Sequence, residues 1–495
     1  MKISSSKKRW RLLALIMCLT MALTLAFGAC APKKDEGDAD PDTPPITQPD
    51  DSDKKDDNKE EEKKPEPEVW ELTYRSGYTP EKFSGVKGEV TDLAEGVHLV
   101  KNTMTKSNGD ACVVWTIEVN LNYAGIAAGT KDNKSYGFNW VKATPYAMAQ
   151  AWEADNEGEQ VFASINADFF GSYTVNAFVK DSYIIKAGHN DKGTYDYKND
   201  DADVPASAPM LFGVKGTKAQ IAPIIKVDGD PKDAAVKEQL IKAELYYKVD
   251  GNKKCIVKQN AAPSDQHITL QTAETEPTVS ASGVAVKVDT SKGFQNLKVL
   301  EKLDKITAGQ TGLAVGDGYA WLVATGLVAD GVTYLKSLKV GDSISLSVAS
   351  AGGTWDGYET ILGTRQALVI DNEVASTVTL ENSNAAQSRD IPRTAIGIKS
   401  GRVVLFAVES LYYGKKALDG DTHGMNLPEL AEFAYYYGCS AAANFDGGGS
   451  TQLAVRGKDD AEAKVLVRSS DTGSTALSST RVVMNGFLIT SKKGK

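Results

Sequence analysis

The sequence predicts an α+β protein of mixed β-sheets with a few packed helices, forming one large domain with a β-rich insertion. Three observations lead there. Short apolar runs recur at 112–119, 182–185, 283–288, 320–324, 343–348, 367–370, 402–408 and 482–489, each of strand length and bounded by turn residues. Clear helix signals are fewer. Residues 70–495 make a stretch of about 425, long for one ordinary core, which suits a second lobe or a large insertion.

The chain opens on a targeting segment. Lys2, Lys7, Lys8, Arg9 and Arg11 form a basic start, residues 12–27 an apolar run, and Gly28-Ala29 small residues before Cys30. Residues 1–29 therefore read as a signal peptide. They resemble a bacterial lipoprotein signal, which implies cleavage before Cys30, a lipid on its thiol and an extracytoplasmic, membrane-anchored protein. A spanning helix fits less well, because the run is short and an acidic, proline-rich segment follows.

That segment, 30–69, reads as a disordered acidic spacer. Between residues 33 and 68 it holds fifteen acidic, seven basic and six proline residues, with almost nothing apolar to bury. The formal charge of the whole chain is −9 and much of it sits here, so the remainder is only mildly acidic and offers no nucleic-acid surface. Cys112, Cys255 and Cys439 show neither CxxC nor zinc spacing, and read as buried free thiols.

Two helices stand out beyond the spacer. At 144–154, Thr144 can cap and Pro145 suits the first turn. At 426–437, Asn426 and Glu429 stand three apart as a capping box, Gly438 stops the helix, and Leu427, Leu430, Phe433, Ala434 and Tyr437 share one face. Residues 216–305 are the least patterned. They are charged, carry turn signals at Asp228-Gly229-Asp230-Pro231 and Val249-Asp250-Gly251-Asn252, and read as an elaborated β-rich section or side lobe.

Polar residues gather where these elements end: Ser164-Ile165-Asn166-Ala167-Asp168-Phe169-Phe170, Gly363-Thr364-Arg365, Pro392-Arg393-Thr394, Glu409 after 403–408, and His423-Gly424-Met425-Asn426. Such positions suit a site carried on a rigid frame. The last piece, Asn444-Phe445-Asp446-Gly447-Gly448-Gly449-Ser450-Thr451-Gln452-Leu453-Ala454-Val455, reads as a hairpin around a glycine turn. The amides of Gly447, Gly448 and Gly449 with the hydroxyls of Ser450 and Thr451 form a candidate anion nest, with Asp446 at its rim. A plain glycine turn capped by Asp446 is the other reading.

Together, INADFF, LKSLKVGD, RTAIGI, GMNLPELAEF and NFDGGGSTQLAV, with Arg481 in SSTRVVMN, resemble the phosphodiester glycosidase family over about 85–489. The resemblance implies cleavage of a sugar-1-phosphodiester or a related cell-envelope glycan linkage. Such a bond breaks through an oxocarbenium-like transition state that uses carboxyl groups, and a phosphate leaving group asks mainly for charge stabilisation. On that basis Asp446 is the first catalytic candidate, with Asp168 or Glu409 as partner. Arg365 and Arg393 are guanidinium forks for the phosphate. Asn166, Thr394, His423 and the residues 447–451 are binding groups.

Plainer roles stand beside these: a structural ion pair for Arg393, a solvated strand end for Glu409, a local cap for His423, core packing for Phe169 and Phe170. No cofactor is firmly predicted, although the oxygens of Asn166, Asp168 and Asp446 leave a hard cation such as calcium open. The alternative function is a surface lipoprotein that binds glycan or anionic polymer without cleaving it.

Overall fold

Most of the apolar runs become strands, and several of these are buried on both faces. In the computed structural model, described for residues 68–132, 134, 139–188, 210–227, 233–249, 252–261, 266–272, 282–308, 313, 315–316, 318–326, 328–375, 390–410, 412–413, 416–417, 422–471 and 481–492, the strand Arg402–Val408 shows the principle. Val403, Leu405 and Ala407 enter one core, while Val404, Phe406 and Val408 enter another. Alternation of side chains persists, but both faces are covered, so polar residues disappear from the pattern. The signal segment with Cys30, the spacer up to residue 67 and the turn at 228–231 lie outside the described residues, as does the centre of the turn at 249–252.

The first sheet is antiparallel, in the order Phe83–Ala94, Val97–Lys106, Ala111–Val119, Arg402–Val408, Arg393–Lys399, Ala441–Asn444, Ala367–Ile370, Glu373–Val374. The second runs Lys464–Val467, Leu453–Val455, Val161–Asn166, Gly486–Thr490, Gly125–Gly129, again antiparallel. They pack face to face through Ile117, Ile396 and Leu405 on one side and Ile165, Phe487 and Ile489 on the other. A helix covers each outer face, Leu427–Tyr436 on the first sheet and Pro145–Asp155 on the second. The layers are helix, sheet, sheet, helix.

Both helices follow their sequence signals. Asn426 Oδ1 accepts from Glu429 N at 2.9 Å, and Glu429 Oε2 accepts from Asn426 N at 3.0 Å. Gly438 ends the helix at φ +104°. Leu427, Leu430, Phe433, Ala434 and Tyr437 are all buried. Thr144 Oγ1 caps the other helix through Ala147 N at 3.1 Å.

A third sheet, Tyr183–Lys186, Phe178–Lys180, Thr360–Gly363, Met210–Lys215, Lys218–Pro223, is a shared wall. Phe178, Phe212 and Leu362 face the sandwich, and Val179, Leu211 and Ile361 face the lobe.

The lobe is one eight-stranded sheet: Ser343–Ile344, Leu297–Ile306, Gly283–Asp289, Tyr319–Thr325, Ile268–Gln271, Asn252–Gln259, Tyr246–Val249, Leu346–Ala349. Its two edges are consecutive in the chain, separated only by Ser345, so the sheet closes on itself. Closure removes the exposed edges, and Val286, Leu322, Leu270, Val257 and Leu346 fill the interior.

Several expectations change. The run 343–348 is two short strands with different partners. The run 482–489 forms a strand only from Gly486, with Val482 exposed and Val483 in an isolated bridge to Ala143. Two further helices, Ala234–Lys242 and Ala329–Ser337, lie outside the helix signals of the sequence. Residues 218–223 belong to the shared wall, while the lobe sheet continues to Ala349. Glu68, assigned to the spacer, is docked: its carboxylate meets Arg402 at 2.7 Å and Asn120 Nδ2 at 2.8 Å. Beside it Trp70 stacks on His98 with centroids 4.0 Å apart. Cys112, Cys255 and Cys439 are buried and form no disulfide.

Candidate active site

Three strand ends meet where the two sandwich sheets adjoin. Val161–Asn166 finishes at Asn166 in the second sheet, while in the first Arg393–Lys399 begins and Ala441–Asn444 ends. The expected glycine hairpin is instead a crossing between sheets. Ala441–Asn444 pairs with Arg393–Lys399 and Leu453–Val455 pairs with Val161–Asn166, so the glycine segment carries the chain from one sheet to the other.

Backbone bonds seat that crossing. Phe445 N donates to Thr394 O at 2.8 Å, Asp446 N to Ala167 O at 3.0 Å and Gly448 N to Pro392 O at 2.8 Å. Asp446 is thus held from both sheets. Asn166 secures it further: Nδ2 donates to Asp446 O at 2.7 Å, while Oδ1 accepts from the Thr394 hydroxyl at 2.7 Å and from Gln452 N at 3.3 Å. The hydroxyls of Thr394 and Thr451 lie 3.2 Å apart. Asn166, Thr394 and Thr451 therefore form an internal brace that places Asp446, where direct substrate contacts were expected.

Two of the three glycines in the turn have a definite reason. Gly448 sits at φ +60°, which a side chain disfavours. A Cβ on Gly449 would fall 2.1 Å from Cγ of Asp471, so the segment 469–471 can press on the turn only because that atom is missing. Ser469 Oγ donates to Gly449 O there. The amides are largely engaged: Ser450 N and Thr451 N close the turn on Gly447 O and Gly448 O at 3.2 and 3.1 Å. The free three-amide nest expected from the sequence does not form. The Gly447 amide serves the Asp446 carboxyl itself.

Asp446 keeps partial exposure at this seam. Burial pushes its carboxyl up to about 6, against the opposing pull of Ser450, Arg481, the Gly447 amide and Arg365. The two guanidiniums are themselves propped on aromatic rings. Arg365 lies 5.5 Å from the Phe169 centroid and Arg481 5.8 Å from that of Phe170. Phe169 and Phe170 are half-buried at the site. Arg365 N donates to Asn444 O at 3.1 Å, and Arg481 O accepts from Gln452 Nε2 at 2.6 Å. Arg481 also pairs with Asp471 at 3.2 Å. Ser450 Oγ is fully buried beside Asp446 and helps to hold its carboxyl down against the effect of burial.

Other sequence candidates take different stations. Arg393 is buried and pushed down to about 10; its Nε donates to Met425 O at 3.0 Å, and the charges facing it are Asp390 and Glu429. Lys106 binds the same two carboxylates, at 2.6 and 3.0 Å. Arg393 thus belongs to a buried ion cluster behind the glycine turn, and the second fork beside Asp446 is Arg481.

Asp168 is fully committed inside: one oxygen accepts from Asn176 N at 3.0 Å, the other from Asn176 Nδ2 at 2.7 Å. Burial raises its pKa despite those bonds and nearby Lys186. Burial also raises that of Glu409, which faces Arg468, Lys101 and Trp115, a different set of neighbours from those of Asp446. His423 Nδ1 pairs with Asp110 at 3.5 Å. The oxygens of Asn166, Asp168 and Asp446 are thus spent on separate partners and do not form one coordination shell. Among the described residues, no group of three His, Cys, Asp or Glu side chains is placed to hold a metal.

Asp471, Gln452 and Asn485 went unsuspected in the sequence. Asn485 positions the chain after Asn166, its Oδ1 accepting from Asp168 N at 3.0 Å. Arg481 had a motif but no assigned role. Asp471 had no signal, because it sits in a mixed polar loop and its importance comes from Gly449.

The site thus sets a carboxyl pushed up to about 6 beside two ring-supported guanidiniums on a layered β frame. Residues 304–490 match the model of the phosphodiester glycosidase family, so the resemblance carried by the motifs is shown over that stretch. It includes Arg365, Asp446 and Arg481, while Asn166 and Asp168 lie outside it. No curated protein matches the chain.

Similar solved structures include a hypothetical protein from Synechocystis, with 16% identity, TM-score 0.46 and coverage of 82% of this chain. This chain spans 64% of that protein's length. A Burkholderia pseudomallei protein described as exported shares 12% identity, with TM-score 0.43 and coverage of 85% and 100% of the two chains. The zebrafish N-acetylglucosamine-1-phosphodiester alpha-N-acetylglucosaminidase catalytic domain, auto-inhibited by its pro-peptide, shares 10% identity, with TM-score 0.34 and coverage of 82% and 88%.

Proposed function

We propose that the protein is an extracytoplasmic glycosidase that hydrolyses sugar-1-phosphodiesters, of the N-acetylglucosamine-1-phosphodiester kind, or related cell-envelope glycan linkages. The observation that carries this reading is Asp446, at about 6, facing both Arg365 and Arg481.

Cleavage transfers the electron pair of the C1–O bond to the phosphate oxygen, and water supplies the new oxygen on C1 and gives up one proton to solvent. The departing phosphate monoester is already a good anion, so it needs guanidinium stabilisation more than a proton. Arg365 and Arg481 supply that. Asp446 acts in its ionised form, as the carboxylate that assists at the anomeric carbon. The brace of Asn166, Thr394 and Thr451 holds its backbone so that the carboxyl stays aligned.

The lipoprotein-like leader supports a lipid anchor on Cys30 and a station outside the cytoplasmic membrane, with the spacer as a stalk. Cys30→Ser should abolish incorporation of labelled fatty acid; undiminished labelling would remove the anchor from this account.

The enzyme reading is tested with the purified full-length chain and a GlcNAc-1-phosphodiester, by measuring reducing sugar released. Asp446→Asn should lower kcat by about 10³-fold, and Arg365→Ala or Arg481→Ala by about 10²-fold. Affinity without any turnover in the parent, retained in Asp446→Asn, would establish a binding protein in place of an enzyme.

A further inference from the structure

Resting on that reading, we infer that Asp471 sets the charge selectivity of the site, favouring a phosphodiester monoanion over a phosphomonoester dianion.

The geometry gives Asp471 a built place. Its carboxyl occupies the space where Gly449 lacks a Cβ, the position a side chain there would fill at 2.1 Å. Ser469, two residues earlier, is tied to Gly449 O. From that seat Asp471 pairs with Arg481 at 3.2 Å, and Arg481 is one of the two guanidiniums that face Asp446. Arg365 faces the same carboxyl.

Charge arithmetic then decides what the site accepts. The two guanidiniums bring two positive charges, and Asp471 together with ionised Asp446 offsets both. With no net positive charge left over, a dianion is opposed more strongly than the single charge of a phosphodiester. The product of glycosidic cleavage is a phosphate monoester, whose second ionisation lies near pH 6, so at neutral pH it carries up to two charges. Asp471 therefore opposes retention of the product more than it opposes binding of the substrate. It acts through Arg481 and touches no reacting atom, which makes it a specificity-determining residue. It is about as exposed as Arg481, 38% against 40%, so solvent tempers the effect to an expected order of tenfold.

The test uses full-length Asp446→Asn, whose slowed turnover spares the diester during the titration, and the double variant Asp446→Asn/Asp471→Asn. Calorimetry at pH 7.5 measures binding of GlcNAc-1-phosphate and of its methyl phosphodiester. The Asp471→Asn change should tighten the monoester about tenfold and the diester by no more than about threefold. Equal shifts for both ligands, or none for either, overturn the inference. Binding of neither ligand by either protein overturns it together with the proposed function, whereas parental turnover with unshifted selectivity overturns the inference alone.

A second readout uses the single Asp471→Asn enzyme. Arg481, released from Asp471, should stabilise ionised Asp446, and the acidic limb of kcat/KM should move to lower pH. A limb that stays in place contradicts the coupling through Arg481.

Discussion

Asp446 binds a proton more tightly in the fold than in the open chain, and the sign of that difference has a consequence. Its folded value, about 6, lies above the ordinary 3.8. The stability linked to that proton is fully present below about pH 4 and is lost as pH rises through about 6. Asp168 has the same sign. Asp446→Asn should therefore melt higher than the parent at pH 8, with little difference at pH 4; an unchanged gap across that range would deny the shift.

Asp168→Ala removes the acceptor of two buried donors of Asn176 and should cost about 3 kcal/mol in urea unfolding. A cost below about 1 kcal/mol would mean the pair is not confined. Residue chemistry was legible for Asp446, Arg365 and Asn166, since their types announce what they can donate or accept. Which of them meet substrate was not. Asn166 and Arg393 both look like ligand-binding groups, yet their bonds go to Asp446 O and Met425 O. Partners distant in sequence make that choice.

At the scale of elements, the glycine crossing shows what a local pattern omits. Two apolar runs flanking a turn satisfy a hairpin signal, but each pairs with a strand far away in the chain, in a different sheet. Nothing within 444–455 encodes that divergence. The helix Leu427–Tyr436 behaved oppositely, because its capping box, apolar face and glycine stop are all local. Asn426→Ala should cost about 1 kcal/mol by thermal unfolding; no loss would deny the cap its role.

Gly449→Ala probes the crossing itself. The new methyl collides with Asp471 and should dislodge the segment 469–471, altering ligand selectivity more than global stability. An unaltered selectivity would show that Asp471 keeps its seat regardless.

At the scale of the molecule, the β-rich character was readable because strand-length apolar runs recur. The layering was not, since burial on both faces erases the alternation that would have revealed it. Closure of the lobe was invisible too: it depends on one short stretch serving both edges of a sheet, with pairings to Leu297–Ile306 and Tyr246–Val249. The shared third sheet joins lobe to sandwich through a common wall of side chains, which gives the site a rigid base.

The central claim is that ionised Asp446, between Arg365 and Arg481, drives cleavage of a sugar-1-phosphodiester. The most direct measurement is kcat/KM for a GlcNAc-1-phosphodiester from pH 4 to 8. Activity should rise about tenfold per pH unit below a midpoint near 6 and then level off, with the rise absent in Asp446→Asn. A rate that is flat across this range, or that falls as pH increases, would contradict the account.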